Sequence, residues 1–157
     1  MTDGMGMVTR QDDRATVRFE RHLDAAIGDV WAALTTPAGL GSWLAPATVD
    51  LTEGGEIDID FGEEGLAGGP ITALDAPTLL EYQWRFPGEP DSVLRFALTP
   101  DDERTILVLD HRLLPADQAM GYGAGWHAHL DHLEARLAGR EPGVWADRFR
   151  ELVPHYL

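Results

Sequence analysis

The sequence predicts an α+β protein in which a curved antiparallel sheet holds one long C-terminal helix. Three observations carry this. In Gly121–Arg140, Tyr122, Trp126, Leu130, Leu133 and Leu137 fall on one stripe of a helical wheel. Ala128, Asp131, His132, Glu134, Ala135 and Arg136 take the rest of the circumference. The long stretch before that helix reads almost wholly as strands, most plainly at Glu56–Phe61. There Ile57, Ile59 and Phe61 alternate with Glu56, Asp58 and Asp60. Finally, the remaining helical signals cluster early, so helices are segregated from a meandering sheet.

In chain order, Met1–Arg14 is polar and without period, and is expected to be a frayed tail. Residues 15–157 are expected to form one domain, a size that supports a single sizeable core. Ala15–Leu23 alternates Val17, Phe19 and Arg21 against Arg18, Glu20 and His22, as a half-buried strand does. Asp24 suits a helix N-cap, and Ile27, Val30, Trp31 and Leu34 recur at helical spacing, predicting a helix over 25–36. Pro37 opens a second short helical turn carrying Leu40, Trp43 and Leu44. Strands follow at Val49–Leu51 and Glu56–Phe61 around a Glu-Gly-Gly turn. Glycine-rich Glu63–Pro70 reads as a flexible loop. Ile71–Leu74 and Leu79–Phe86 pair around the Asp-Ala-Pro-Thr turn, and Val93–Leu98 and Thr105–Leu114 complete the meander. Gly139 stops the long helix by taking up left-handed geometry. Residues 140–157 carry Val144, Trp145, Phe149 and Leu152 and are expected to dock back on the domain.

The formal net charge of −15 disfavours nucleic-acid binding, which needs clustered Lys and Arg, and disfavours anionic membrane surfaces. Cysteine is absent, so thiolate metal sites and cysteine nucleophiles are excluded. No apolar run reaches a membrane-spanning length, and the N-terminus lacks a signal-peptide core, so a cytoplasmic location is expected.

Several segments occur together in one order: Val30–Leu44 (VWAALTTPAGLGSWL), the GGEIDIDF hairpin, Ile71–Trp84 (ITALDAPTLLEYQW), the Thr105–Leu114 strand with His111, and Gly125–Gly139 (GWHAHLDHLEARLAG). Over roughly residues 15–139 this resembles the activator-of-heat-shock-protein-ninety-ATPase homologue-like family. That family belongs to the START-like, or SRPBCC, helix-grip superfamily, which includes the birch-pollen allergen. The resemblance implies a helix-grip fold: a seven-stranded antiparallel sheet wrapped around the C-terminal helix, two short helices after the first strand, and a cavity between sheet and helix. Trp31, Trp43, Trp84, Trp126 and His111 match family positions that are scaffold or cavity lining. The eukaryotic co-chaperones of the family carry an additional N-terminal domain absent from this sequence.

Residue parity defines a candidate ligand site. It directs Ile57, Ile59 and Phe61, then Leu80, Tyr82 and Trp84, inward from their strands. Leu94, Phe96 and Leu98, then Leu107, Leu109 and His111, follow the same rule. The helix adds Trp126, Leu130 and Leu133, with Trp43 near one end. A ligand pocket needs ~300 Å³ or more. Left dry, such a void costs about 7 kcal/mol, comparable with a whole domain's stability. The space is therefore filled by these side chains, wet, or used by an apolar guest.

His127, His129 and His132 spread around the helix and cannot converge on one ion, so no metal is expected; His129 falls at the pocket rim. The Glu56, Asp58 and Asp60 row is too extended for a calcium site and reads as a solvated face. Arg85 and Arg95 beside Glu81 read as a cross-strand charge group. No P-loop, G-x-G-x-x-G or G-x-S-x-G motif is present, and no cofactor is expected.

Three functional readings follow. The preferred one is binding of a small, largely hydrophobic molecule, lipid or polyketide-like, under the long helix. The second is a cyclase- or hydrolase-type enzyme with His111 and Tyr82 as its acid/base pair. The third is a co-chaperone-like interaction module, acting as a homodimer.

Overall fold

Alternating strands with one apolar face need a single broad partner, and the long helix provides it. The computed structural model of the protein describes residues 4–157. Its elements are β1 (Met7–Gln11), β2 (Arg14–Leu23), α1 (Ile27–Thr35), α2 (Pro37–Trp43), β3 (Ala47–Val49) and β4 (Glu56–Asp60). They continue with β5 (Leu66–Asp75), β6 (Leu79–Trp84), β7 (Ser92–Asp101), β8 (Arg104–Pro115), α3 (Ala119–Leu137) and α4 (Trp145–Leu152). All eight strands form one antiparallel sheet in the order β1-β2-β8-β7-β6-β5-β4-β3, with α3 across its concave face. No helix among the described residues is long and apolar enough to cross a membrane.

The sheet has eight strands rather than seven, because part of the expected tail is ordered. Met7–Gln11 pairs with β2 around Asp12, whose φ of 57° closes the tight turn. Residues 1–3 of the expected tail lie outside the described residues. The expected loop over 63–70 is also largely strand. β5 starts at Leu66, pairs first with β4 and then, from Ile71, with β6. Gly68 serves that closeness rather than looseness: its φ is 116°, and a Cβ there would meet the Ile57 carbonyl oxygen at 2.0 Å.

The early helices form for the reasons read from sequence, with one correction. Asp24 does not cap α1; the helix begins after a bend, with Ala26 at the N-cap, and Asp24 lies near Arg104 instead. Thr36 caps α2 by accepting from the Gly39 amide, with Pro37 at the first helical position. Gly139, at φ 71°, ends α3.

Strand parity holds across the sheet. Ile57, Ile59, Leu80, Tyr82, Leu94, Phe96, Leu107, Leu109 and His111 are all buried. The helix is covered more widely than one stripe allows, since Ala128 and Ala135, placed outward by the wheel, are buried, and so is His127. β2 and the C-terminal segment supply that second cover: Arg21 reaches Asp131 and Glu134, and Tyr156 packs at Gly123.

Candidate functional site

Leu130 and Leu133, in the C-terminal half of α3, are fully buried in one cluster with Leu107, Leu109 and Phe96. Eleven of the fourteen residues expected to line a cavity are buried and do not border the pocket: Trp43, Ile57, Ile59, Tyr82, Leu94, Phe96, Leu107, Leu109, His111, Leu130 and Leu133. Phe61, Trp84 and Trp126 border the open space that remains. That pocket has a volume of about 190 Å³ and lies at the N-terminal half of α3.

The pocket's composition follows from its elements. Gly121, Tyr122, Gly125, Trp126 and His129 recur at helical spacing and form the α3 wall, with Gln118 just before the helix. Opposite stand Trp84 and Phe86 at the end of β6, with Phe61, Glu64, Leu44 and Glu89 from the loops. The cover is α4, through Trp145 and Phe149. These two rings stack at 5.0 Å, and Trp145 stacks on His129 at 4.9 Å. α4 is held there by Arg148, whose Nε donates to Asp131 at 2.8 Å, while Arg21 donates to the other Asp131 oxygen at 3.0 Å.

Glycine explains why this end is open. In a helix interior each glycine costs roughly 0.5–1 kcal/mol relative to alanine, yet 121, 123 and 125 are all glycine. A Cβ at 123 would strike the Tyr156 ring at 2.7 Å, so that glycine seats the C-terminal segment. Gly121 borders the pocket at its exposed side, where a Cβ would meet nothing within 4 Å, and Gly125 faces the cover, where a Cβ would stand 3.9 Å from Trp145 and 4.0 Å from Phe149. This alternation is the signal in the sequence that identifies the open half of the helix. Leu44, Glu64, Phe86, Glu89 and Gln118 carry no comparable signal, because loop geometry brings them in.

Trp126 separates pocket from core. Its ring lies 5.6 Å from Trp84 and 5.8 Å from His129 on one side, and 6.5 Å from Trp43 and 6.3 Å from Phe96 on the other. Its indole N–H donates to His111 Nδ1 at 2.9 Å. An indole can only donate, so the His111 proton sits on Nε2, 2.8 Å from Ser92 Oγ. Ser92 in turn donates to the Trp84 carbonyl at 3.3 Å. Burial pushes the His111 pKa down to about 3, keeping the ring neutral.

The expected pairing of His111 with Tyr82 is therefore corrected. Both imidazole nitrogens are taken by Trp126 and Ser92, and the fully buried Tyr82 hydroxyl has no partner among the described residues. Burial raises the Tyr82 pKa, so that phenol stays protonated and off the pocket. A low-dielectric core keeps both groups neutral, which suits structure rather than proton transfer.

The polar groups on the pocket differ in how well they are satisfied. Tyr122 donates to Glu89 at 2.7 Å and accepts from Trp84 Nε1 at 3.1 Å. Burial, reinforced by Glu89, raises the Tyr122 pKa. Trp145 Nε1 and His129 Nδ1 are out of solvent and have no partner among the described residues. Burial, helped by neighbouring His132, lowers the His129 pKa to about 3. His127 faces away from this site: its Nδ1 lies 2.8 Å from the Tyr156 hydroxyl, which also accepts from the Gly6 amide. The Arg95–Glu81 pair is joined by Arg112, at 3.2 and 2.9 Å, on the sheet's outer face.

An antiparallel sheet packed over one long helix, with a small aromatic pocket at the N-terminal half of that helix, defines a START-like helix-grip protein. The chain belongs to the family described as activator of Hsp90 ATPase homolog 1-like protein, whose match spans residues 24–138. The covering helix α4 falls outside that span. Among solved structures, CalU16 from Micromonospora echinospora is similar at 23% identity and a TM-score of 0.82, over 99% of this chain and 96% of that one. A protein encoded by gene BPP1335 of Bordetella parapertussis is similar at 28% identity and a TM-score of 0.74, over 96% and 88%. DynU16, from the dynemicin biosynthetic locus, is similar at 25% identity and a TM-score of 0.74, over 84% of this chain and 49% of that one. No curated protein sequence matches the chain.

Proposed function

We propose that this protein binds a small aromatic molecule in the pocket between β6, the N-terminal half of α3 and α4. The observation that carries the reading is a 190 Å³ space beside Gly121 and Gly125, walled by Phe61, Trp84, Phe86, Trp126, Trp145 and Phe149. The space is smaller than the ~300 Å³ expected of a pocket for a drug-sized ligand, but an engineered apolar cavity of ~150 Å³ takes up benzene, so a guest of one or two rings matches it. The volume favours a compact ring system over the long acyl chain of a lipid. The occurrence of DynU16 in a biosynthetic locus agrees with a small-molecule role for this fold.

The test is titration of the full chain with neutral naphthylmethanol, followed by quenching of tryptophan fluorescence, alongside native mass spectrometry for a co-purified ligand. Gly121→Leu fills the open space and is expected to remove probe binding while the protein stays folded. Equal binding by Gly121→Leu would overturn the reading.

A further inference from the structure

The pocket is aromatic, but its electrostatics are one-sided. The two ionisable side chains bordering it that carry charge at neutral pH are both carboxylates, Glu64 and Glu89. The sequence contains no lysine, and none of its arginines borders the pocket. Nine arginines are already in ion pairs with carboxylates, including Arg21, Arg85, Arg95, Arg112 and Arg148. Glu64 and Glu89 have no such cation among the described residues, and the one hydrogen bond to them comes from the neutral Tyr122 hydroxyl. The formal net charge of −15 extends the same field outward.

Aromatic faces attract cations through their quadrupole, most strongly where water is excluded. A carboxylate-bearing guest would meet two like charges and no counterion; a protonated amine would meet two opposite charges and several π faces.

From this we propose that the pocket selects an aromatic amine: one or two rings among Trp84, Trp126, Trp145 and Phe149, with the ammonium group at the Glu64–Glu89 mouth. Aromatic acids and fatty-acid anions are rejected. The proposal rests on the reading of this pocket as a small-molecule site and specifies which molecules enter it.

The experiment compares naphthylmethylamine, naphthylmethanol and naphthoate, which share a ring system and differ in charge, by calorimetric titration of the full chain. The amine is expected to bind about tenfold tighter than the alcohol, and naphthoate more weakly than either. In Glu64→Gln/Glu89→Gln the amine-over-alcohol ratio is expected to fall close to one. The side-chain amide in Glu89→Gln keeps an oxygen to accept from Tyr122, so the wall stays in place. An alcohol bound as tightly as the amine, or a ratio that survives the double substitution, would overturn the charge selection alone. Binding of none of the three would overturn the pocket itself.

Discussion

The two halves of α3 face the same sheet and end differently. The C-terminal half presents Leu130 and Leu133, which are fully buried in the core. The N-terminal half presents Gly121 and Gly125, and the sheet opposite it ends in Trp84 and loop residues, so space is left over. Polar groups do not divide so cleanly, since the Tyr82 hydroxyl in the core has no partner among the described residues. At the partition, His111, Ser92 and Trp126 satisfy one another; in the pocket, Trp145 and His129 each keep an unpartnered nitrogen. One helix thus combines a stabilising half with a half whose local choices cost stability, as is expected where a site is built.

Acid is expected to have the largest effect, because buried neutral histidines lie at the partition (His111), at the pocket (His129) and on the opposite side of α3 (His127). The pKa values of His111 and His129 are pushed down to about 3 and that of His127 to about 4, chiefly by burial. An unfolded histidine titrates near ~6.5, so the unfolded chain takes up protons first. Their stabilising contribution is complete above that value and is lost progressively as pH falls toward the folded values. Urea midpoints measured across this window should fall steeply; a flat profile would contradict the burial of these rings.

Next in size, Leu130→Ala should cost about 2–5 kcal/mol by denaturant unfolding, with naphthylmethanol affinity unchanged. Gly121→Leu should do the reverse, abolishing the probe with little loss of stability. If both substitutions changed both quantities, the division between halves would fail. The smallest effect is expected for Tyr82→Phe, which removes a buried hydroxyl without a partner. It should leave stability unchanged or raise it by about 1 kcal/mol. A loss of that size would mean that the hydroxyl is satisfied in solution.

Much of the architecture was legible in the sequence because period-two alternation at Glu56–Phe61 and Thr105–Leu114 leaves one register for each strand. The edge strand Met7–Gln11 was not, because an edge strand with little buried surface shows no apolar alternation. The 63–70 segment misled because Gly68 and Gly69 resemble loop residues, whereas they permit close strand contact. The site was only partly legible. Parity correctly points Phe61, Trp84 and Trp126 inward, but it cannot say where inward-facing residues touch and where they leave a gap. That depends on residue size along α3 and on the loops and α4 that close the end.

Free space borders Trp84, Trp126 and Trp145 and not the Trp43 side chain. Naphthylmethanol titrated into nitrogen-15-labelled protein tests this through the five tryptophan indole N–H signals. The account predicts saturable shifts for Trp84, Trp126 and Trp145, with Trp31 and Trp43 unmoved. Equal movement of Trp43, or no movement of Trp145, would contradict it.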